Sequence, residues 1–323
     1  MKNGYVLAVI PARKGSKSIV DKNIRILNSK PLIAYSIDHA LSSKLIDRVI
    51  VSTDSEDYAM IAQKYGAEVP FLRPIELADD SSTDFEFMYH LIQNLTKNET
   101  YTPSLIVHLR PTYPIRSIDE IDRAINIMKQ SNDYSSLRSI TKTDYSAFKM
   151  WHKLNDNEIV PFNSQIDEAY NLPRQKLPKT YIQNASIDII KTNTIIKEMS
   201  MTGSKIYGFT MKHFFDIDYE EDFQFTELVL RIIEGKAEVA IYGSTIIELT
   251  QKNSLSIKLT KVFKEIIRRG NQIHLMNTGS DEHFESIFFK KFNYSLKSNA
   301  VFEINLLRTR DLIKLIFLEG FNA

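Results

Sequence analysis

Cysteine is absent from the 323-residue sequence, which excludes disulfides, thiolate catalysis and Cys-ligated zinc sites. Net charge is also nearly absent, because 41 Lys and Arg residues stand against 40 Asp and Glu residues. This balance lacks the basic footprint of a nucleic-acid-binding protein and the acidic run of a polyanionic tail. No apolar run approaches the roughly 18 residues of a membrane-spanning helix, and residues 5–10 are too short a run for a signal peptide. We therefore expect a cytoplasmic protein that binds neither nucleic acid nor membrane.

Short β-rich runs alternate with helical patterns through the first two thirds of the chain. The runs at residues 5–10, 48–52 and 105–109 are typical of strands buried on both faces of a parallel sheet. Helical patterns are predicted over residues 31–41, over 55–65, from Ser117 with capping-box spacing to Glu120, and over 219–234. This alternation predicts an α/β fold with a doubly wound, mostly parallel sheet.

The alternation breaks between residues 134 and 192. Two β-like stretches, 136–141 and 181–190, flank a polar region that contains the only tryptophan, Trp151. We interpret residues 137–185 as an inserted β-rich arm. A helix stop at Gly235 predicts a first domain over residues 1–235 and a small α/β extension over residues 236–323.

The loop after the first predicted strand gathers cations around one glycine. Its residues include Arg13, Lys14, Gly15, Ser16, Lys17, Lys22 and Asn23. Backbone N–H groups in such a loop bind phosphate oxygens, and its cations neutralise a triphosphate. Ligands of open α/β sheets bind at this edge, outside the carboxyl ends of the strands. The alternative is an ordinary basic surface loop. The spacing matches neither a P-loop nor a dinucleotide-binding fingerprint.

Two acids lie near the end of the first predicted domain, Asp216 and Asp218. At a spacing of two in an extended segment their carboxylates point the same way, as for a shared cation. Magnesium selects such oxygen ligands and completes its shell with waters and substrate phosphates. The alternative is that these acids cap the helix that begins near Tyr219, a role that we assign to Asp222.

Other polar residues follow predicted strands, and each has a purely structural alternative. Asp54 either contacts a nucleotide or starts a turn. Arg73 is a candidate contact for a nucleobase or phosphate, or a surface residue. Arg110 and Thr112 could reach a substrate carboxylate or hydroxyl, or could belong to a rigid proline turn. We interpret His108 as a packed or surface histidine rather than a ligand.

Taken together and in this order, the motifs resemble the acylneuraminate cytidylyltransferase family, the CMP-sialic acid synthetases. Members activate neuraminic, legionaminic or pseudaminic acids. The resemblance covers about residues 5–234 and is carried by IPARKGSK, DKNI, SKPLIAYSI, DRVIVSTDS, GAEVPFLRP, LRPTYPIR, LPRQKLP, IQNASIDI and FDIDYEEDF.

The resemblance implies a nucleotidyltransferase with a Rossmann-like domain that transfers CMP from CTP to a nonulosonic acid sugar and releases pyrophosphate, with Mg²⁺ as cofactor. The related CMP-Kdo synthetases share the Pro-Ala-Arg loop, but Lys22-Asn23-Ile24 and the Pro-Arg-Gln-Lys-Leu-Pro stretch favour the sialic-acid branch. A cytidylyltransferase for another sugar acid such as Kdo, or a non-catalytic nucleotide-binding scaffold, remains the alternative.

The resemblance also implies roles for individual residues. Those for CTP binding are Arg13, Gly15, Ser16, Lys22, Asn23 and Arg73, and those for sugar binding are Arg110, Thr112, Arg174, Gln175 and Asn184. Asp216 and Asp218 match the Mg²⁺ ligands and, with Arg13 and Lys22, form the implied catalytic set. Many members have Gln at the position of Arg110. The arm resembles a segment exchanged between subunits, which implies a homodimer.

The C-terminal extension has a weaker resemblance. The stretch over residues 269–279 is similar to a reduced phosphatase-like module of the haloacid dehalogenase type. The nucleophilic Asp-x-Asp of such a phosphatase is missing, and residues 241–244 read Ile-Tyr-Gly-Ser where it would stand. We therefore expect a structural or interaction module.

Overall fold

The computed structural model describes residues 4–143, 145–211 and 216–231 in full, with the backbone of residues 232–233 and of six short strands beyond them. Up to residue 211 the strands are β1 (Val6–Pro11), β2 (Ile26–Leu27), β3 (Lys30–Pro31), β4 (Arg48–Ser52), β5 (Leu105–His108), β6 (Ser136–Lys142), β7 (Trp151–Lys153), β8 (Ile159–Pro161), β9 (Tyr181–Lys191) and β10 (Ile206–Met211). The helices are α1 (Leu32–Ser42), α2 (Glu56–Lys64), α3 (Asp84–Glu99), α4 (Ile118–Gln130), α5 (Thr192–Ile196) and α6 (Glu220–Ile233).

A six-stranded sheet organises the molecule, in the order β10-β6-β9-β5-β1-β4. The pairs β1–β4, β1–β5 and β6–β10 are parallel, whereas β9 is antiparallel to both of its neighbours. The doubly wound, mostly parallel sheet predicted from the sequence is therefore confirmed. Because β1, β4 and β5 are parallel neighbours, the loops that follow them meet at one edge of the sheet.

The side chains of β1 divide between two cores, as expected for a strand covered on both faces. One core joins Val6, Ala8 and Ile10 to apolar residues of α1, α2 and α4. The other joins Leu7 and Val9 to apolar residues of α3 and α5. All five side chains of this run are fully buried. This packing fixes the position of the loop that β1 delivers to the edge of the sheet.

Two details of helix capping differ from the sequence prediction. Helix α4 begins where predicted, but the Ser117 side chain forms no capping hydrogen bond; its carbonyl accepts the Ile121 N–H instead. The helix start predicted from the Ser117–Glu120 spacing is therefore confirmed, without the Ser117 side-chain bond of a full capping box. A capping box does occur at Thr83 and Glu86, at the start of α3, a helix that the sequence analysis missed.

The segment between β6 and β9 forms the arm. It contains a two-stranded hairpin, β7–β8, and a small apolar core of Phe148, Ala169 and Leu177. β6 and β9 themselves pair within the central sheet, so the predicted arm begins and ends inside that sheet. Large apolar side chains are exposed along the arm, among them Tyr145, Met150, Trp151, Leu154, Ile159 and Phe162.

Beyond α6, the strands that the structure describes pair into two antiparallel sheets. They are β11 (Val239–Tyr242), β12 (Thr245–Glu248), β13 (Ser256–Lys258), β14 (His274–Met276), β15 (Val301–Asn305) and β16 (Lys314–Phe317), paired as β11-β12-β13 and β14-β15-β16. The helix stop at Gly235 and most of residues 269–279 lie outside the described residues, so the domain boundary stays a prediction. None of the described helices combines the length and apolar character that crossing a membrane requires.

Candidate active site

The cationic loop after β1 is held in shape by hydrogen bonds to its neighbours. The Lys14 N–H donates to Asp54 Oδ1 at 2.8 Å, and Asn23 Nδ2 donates to the Arg13 carbonyl at 3.1 Å. Gly15 has φ = +81°, a left-handed conformation that strains any residue with a side chain. Asp54 thus anchors the loop, a role that the sequence analysis did not consider for it.

The cations of this loop face the segment that precedes α3. Arg13, which is partly exposed, donates to the Ala78 carbonyl at 3.3 Å and to Asp80 Oδ1 at 2.8 Å. The exposed Lys17 forms an ion pair with the other Asp80 oxygen. Ser16, which lies between Arg13 and Lys17 in the sequence, is also partly exposed. These side chains therefore sit at the surface of the sheet edge, where a solute can reach them.

The acidic segment of residues 216–218 is attached directly to two strand-end loops. The Ile217 N–H donates to the Thr112 carbonyl at 2.9 Å, in the loop after β5. The Ile217 carbonyl accepts a hydrogen bond from Lys22 Nζ at 2.7 Å, in the loop after β1. The structure thus brings Lys22, Asp216 and Asp218 together.

Burial and mutual charge govern ionisation at this junction. Burial lowers the pKa of Lys22, and the carboxylates of Asp218, Asp216 and Asp222 oppose that shift. Burial raises the pKa of Asp216; a hydrogen bond from the Thr112 side chain opposes the shift, and the Asp218 carboxylate adds to it. Two acids two residues apart, with Asp216 half-buried and its pKa raised, favour an additional cation.

The donor set fits a divalent metal ion. Asp216 Oδ1 is buried and finds no hydrogen-bond donor among the residues that the structure describes. Within those residues no group of three or more acidic or His side chains could hold a metal. Magnesium commonly takes one or two protein carboxylates together with substrate phosphates and waters, so a pair is sufficient. Asp222 is used otherwise, because its carboxylate accepts the Asp218 and Tyr219 N–H groups at the start of α6.

Arg73 lies at the same edge but is buried. Its Nε and Nη2 donate to Ser52 Oγ at 3.1 Å and to the Ser52 carbonyl at 2.8 Å, at the end of β4. Its guanidinium also stacks over the Phe87 ring at 4.1 Å. Burial lowers the pKa of Arg73 to about 10. These contacts brace the end of β4, and a contact with nucleotide remains a prediction.

The loop after β5 is locked by two arginines. Arg110 bridges Asp84 and Asp188, with a distance of 2.6 Å to each carboxylate. Arg116 is buried and donates to the Ser186 carbonyl at 2.7 Å and to Ser36 Oγ at 2.8 Å. A third hydrogen bond, to the Arg110 carbonyl, completes its contacts.

His108 and Arg138 extend this charged cluster into the sheet. His108 is fully buried beneath it, and burial, followed by the charge of Arg110, lowers its pKa to about 3. The packed interpretation of His108 is confirmed. Arg138 forms a second ion pair with Asp188 from the neighbouring strand β6.

The remaining predicted sugar residues divide between the sheet and the arm. Asn184 is buried beside a break in the β6–β9 register, accepts from Ser139 Oγ at 2.5 Å and donates to Thr141 Oγ1 at 2.9 Å. Arg174 and Gln175 are exposed on a short 3-10 helix of the arm, Arg174–Lys176. A single chain therefore provides these positions in two very different environments.

Comparison with known proteins identifies the family. A family model described as cytidylyltransferase matches residues 7–261, more than three quarters of the chain. The chain belongs to this cytidylyltransferase family. It is a nucleotidyltransferase, and cytidylyltransferases of this kind generally use a divalent metal ion. The match extends past the predicted domain boundary at residue 235.

Individual relatives agree with the family. The chain is 33% identical over 229 residues to the CMP-N,N'-diacetyllegionaminic acid synthase of Campylobacter jejuni, covering 70% of this chain and 95% of the relative. It is 37% identical over 173 residues to the N-acylneuraminate cytidylyltransferase of Escherichia coli O18:K1:H7, but spans only 40% of that relative and 49% of itself. A solved CMP:2-keto-3-deoxy-manno-octonic acid synthetase shares the fold, with a TM-score of 0.53 at 14% identity over 70% of this chain and 98% of that one.

Several residues of the site were missed from the sequence. Asp80, Asp84 and Asp188 provide the ion-pair partners of the predicted arginines. Arg116 belongs to a motif that the sequence analysis used, but its structural role was not assigned. An arginine just after a buried strand, followed by a second arginine six residues on, was the available signal for a buried ionic cluster.

Proposed function

We propose that the chain transfers CMP from CTP to the anomeric hydroxyl of a sialic-acid-type nonulosonic acid and releases pyrophosphate. The observation that carries this proposal is the hydrogen bond from Lys22 Nζ to the Ile217 carbonyl, because it fixes a cationic loop beside the Asp216–Asp218 pair. The names of the two bacterial relatives described above support the choice of donor and acceptor.

The cationic loop is proposed to bind the triphosphate. Arg13 and Lys22 supply positive charge, and the backbone around Gly15 and Ser16 supplies N–H donors at the end of a buried strand. The sugar hydroxyl then attacks the α-phosphorus in line with the departing pyrophosphate. Such a transfer depends on positioning and charge neutralisation more than on covalent catalysis. Asn23 contributes by holding the Arg13 carbonyl and with it the shape of the loop.

The Asp216–Asp218 pair is proposed to hold Mg²⁺. When bound, the ion would neutralise phosphate charge and stabilise the leaving group. Thr112 orients the Asp216 carboxylate through its side-chain hydrogen bond, and Lys22 balances the negative charge of the pair. The raised pKa of Asp216 and its unpartnered oxygen support a cation at this position.

The sugar is proposed to bind beside the loop after β5. Arg110 and Thr112 would contact it from this loop, and Asn184 would shape the pocket from the β9 register break. Arg174 and Gln175 would contact it from the arm. The exposed apolar side chains of the arm support an exchange of arms in a homodimer, because such surfaces are characteristic of protein–protein interfaces.

The proposal extends to domain organisation and location. Residues 1–235, with the arm at 137–185, would form the transferase domain, and residues 236–323 a separate module. Because CTP is the proposed donor, the reaction is placed in the cytoplasm.

A substrate matrix tests the proposal. The purified chain is incubated with CTP, UTP, GTP or ATP against neuraminic, legionaminic and pseudaminic acids and Kdo, with Mg²⁺ present. Pyrophosphate release and the mass of the nucleotide sugar are measured. We expect product from CTP and at least one nine-carbon acid, and far slower formation of product by an Asp218→Ala control.

Each other outcome has a defined meaning. Preference for UTP, GTP or ATP would contradict the nucleotide assignment. Turnover of Kdo alone would support the alternative sugar acid. Thermal stabilisation by CTP and Mg²⁺ without turnover of any acid would support a non-catalytic scaffold.

A further inference from the structure

The Asp80 carboxylate forms ion pairs with cations of the loop after β1, as a phosphate group would. One of its oxygens accepts from Arg13 Nη2 at 2.8 Å, and the other pairs with Lys17 Nζ. Arg13 Nη1 also contacts the neighbouring Ala78 carbonyl at 3.3 Å. One anionic group with two oxygens therefore engages two of the cations that lie in the proposed triphosphate site.

The turn that presents Asp80 is built locally. Asp79 Oδ1 accepts from the backbone N–H groups of Ser81 and Ser82 at 2.8 Å each, and from their hydroxyls at 2.8 and 3.0 Å. The capping box of Thr83 follows immediately. Asp80 thus projects from a turn with its own hydrogen bonds, so its encounter with Arg13 is a property of the fold rather than of one flexible side chain.

We propose that Asp80 is an intramolecular substitute for the terminal phosphates of the nucleotide. It holds Arg13 and Lys17 in place when no nucleotide is bound, yields them to the incoming triphosphate, and competes for them as pyrophosphate leaves. The inference rests on the proposed function, because that function assigns the triphosphate to this loop. Asp80 is a positioning residue and contacts no reacting atom.

The exposure of the three side chains sets the size of the effect. Arg13, Lys17 and Asp80 retain 35%, 79% and 45% of their side-chain exposure. Ion pairs of this kind are weak in water, so a polyphosphate with several negative charges displaces a single carboxylate. Removal of the Asp80 charge should therefore tighten nucleotide and pyrophosphate binding by up to about tenfold.

Asp80→Asn is the informative variant, because the amide keeps the size of the side chain and removes its charge. Glu76→Gln is the matched control: it makes the same charge change on an exposed residue of the same segment, and no ion pair of Glu76 occurs among the described contacts. Dissociation constants for inorganic pyrophosphate and for CTP are measured by calorimetry at low and high salt. Thermal unfolding verifies that both variants fold, and Asp80→Ser substitutes if the amide variant does not.

We expect tighter binding of both probes by Asp80→Asn at low salt, a smaller difference at high salt, and stronger product inhibition by pyrophosphate. Glu76→Gln should behave as the parent. Unchanged or weaker binding by Asp80→Asn, or equal tightening by both variants, would overturn the inference. If the parent chain binds neither CTP nor pyrophosphate, the proposed function itself fails, which is a distinguishable result.

Discussion

Two regions meet at the carboxyl edge of the sheet, and they are built in different ways. The nucleotide side comprises the loop after β1 and residues 216–218. Arg13 is partly exposed, Lys22 is buried against the Ile217 carbonyl, and one Asp216 oxygen is unpartnered among described residues. The sugar side comprises residues 109–116 and 183–188. There the guanidiniums of Arg110 and Arg116 and the amide of Asn184 are already bonded to other protein groups.

The difference separates catalysis from stability. Polar groups whose binding partner is the ligand contribute little to the free energy of unfolding, because the chain itself does not provide that partner. Buried polar groups that are fully paired are costly to disrupt, since removal of one partner leaves the others unsatisfied. We therefore expect substitutions on the nucleotide side to affect rate, and substitutions on the sugar side to affect the free energy of unfolding first.

The largest effect is expected on the nucleotide side. Asp218→Ala removes one of the two proposed metal ligands and should lower kcat by about 10²–10³, comparable to the loss of one preorganised electrostatic contact. The free energy of unfolding should stay constant or rise, because repulsion between Asp216 and Asp218 is relieved. Pyrophosphate release at limiting Mg²⁺ measures the change in kcat, and urea unfolding measures the change in the free energy of unfolding. Full activity at limiting Mg²⁺ would show that the metal assignment is wrong.

Substitutions on the sugar side should lower the free energy of unfolding, unlike those on the nucleotide side. Arg116→Leu leaves the Ser186 carbonyl without its donor, removes one of the two donors to the Arg110 carbonyl and deletes the hydrogen bond that Ser36 Oγ accepts. It should cost about 3 kcal/mol of unfolding free energy. Arg123→Leu, which removes a half-exposed arginine from the neighbouring helix α4, should cost about 1 kcal/mol or less. Urea titration measures both. Equal costs would remove the distinction between the two regions.

Two histidines should make stability depend on pH: His108, buried beneath the sugar side, and His39, half-buried on α1. Burial lowers the pKa of His108 and of His39 to about 3, so below pH 6.5 the unfolded chain takes up protons that the folded chain does not. The free energy of unfolding should therefore fall as the pH drops, by about 2 kcal/mol for each histidine at pH 5. His108→Gln should flatten this dependence in unfolding titrations between pH 5 and 8. An unchanged slope would contradict the packed, neutral state of His108.

The smallest expected effect concerns whether the arm of a partner subunit completes the sugar-binding pocket. If arms are exchanged, a dimer of one Arg174→Ala and one Asp218→Ala subunit has one intact pocket. Random assembly of the two variants should then restore about a quarter of the parent activity. Each variant alone serves as the background. Activity of the co-expressed mixture no greater than the sum of the two would argue for a pocket within one chain.

The sheet edge was largely predictable from the sequence. Residues 48–52 were predicted as a strand and form β4, because a short apolar run between turn signals has few other stable placements. The position of the cationic loop at the carboxyl edge of the sheet followed from one rule, that ligands of open α/β sheets bind there. The approach of residues 216–218 to Lys22 did not follow from it, because it depends on contacts between distant parts of the chain. Helix α3 was missed although its capping box and apolar stripe were visible in the sequence.

The ion-pair partners were not predictable in the same way. Asp188 lies 78 residues from Arg110 along the chain, and Asp80 lies 67 residues from Arg13. Local patterns indicate that an arginine must be paired when buried, but the choice of carboxylate depends on how β9 and the segment before α3 are placed. The same holds for Asn184, whose surroundings arise from a break in strand register.

A structure of the chain with CTP and Mn²⁺ in the absence of sugar tests the central claim most directly, because anomalous scattering locates the ion. We expect one ion in contact with Asp216, Asp218 and phosphate oxygens, with Arg13 and Lys22 on the same triphosphate. A triphosphate bound beyond the reach of Arg13, or an ion held away from the two carboxylates, would contradict the account.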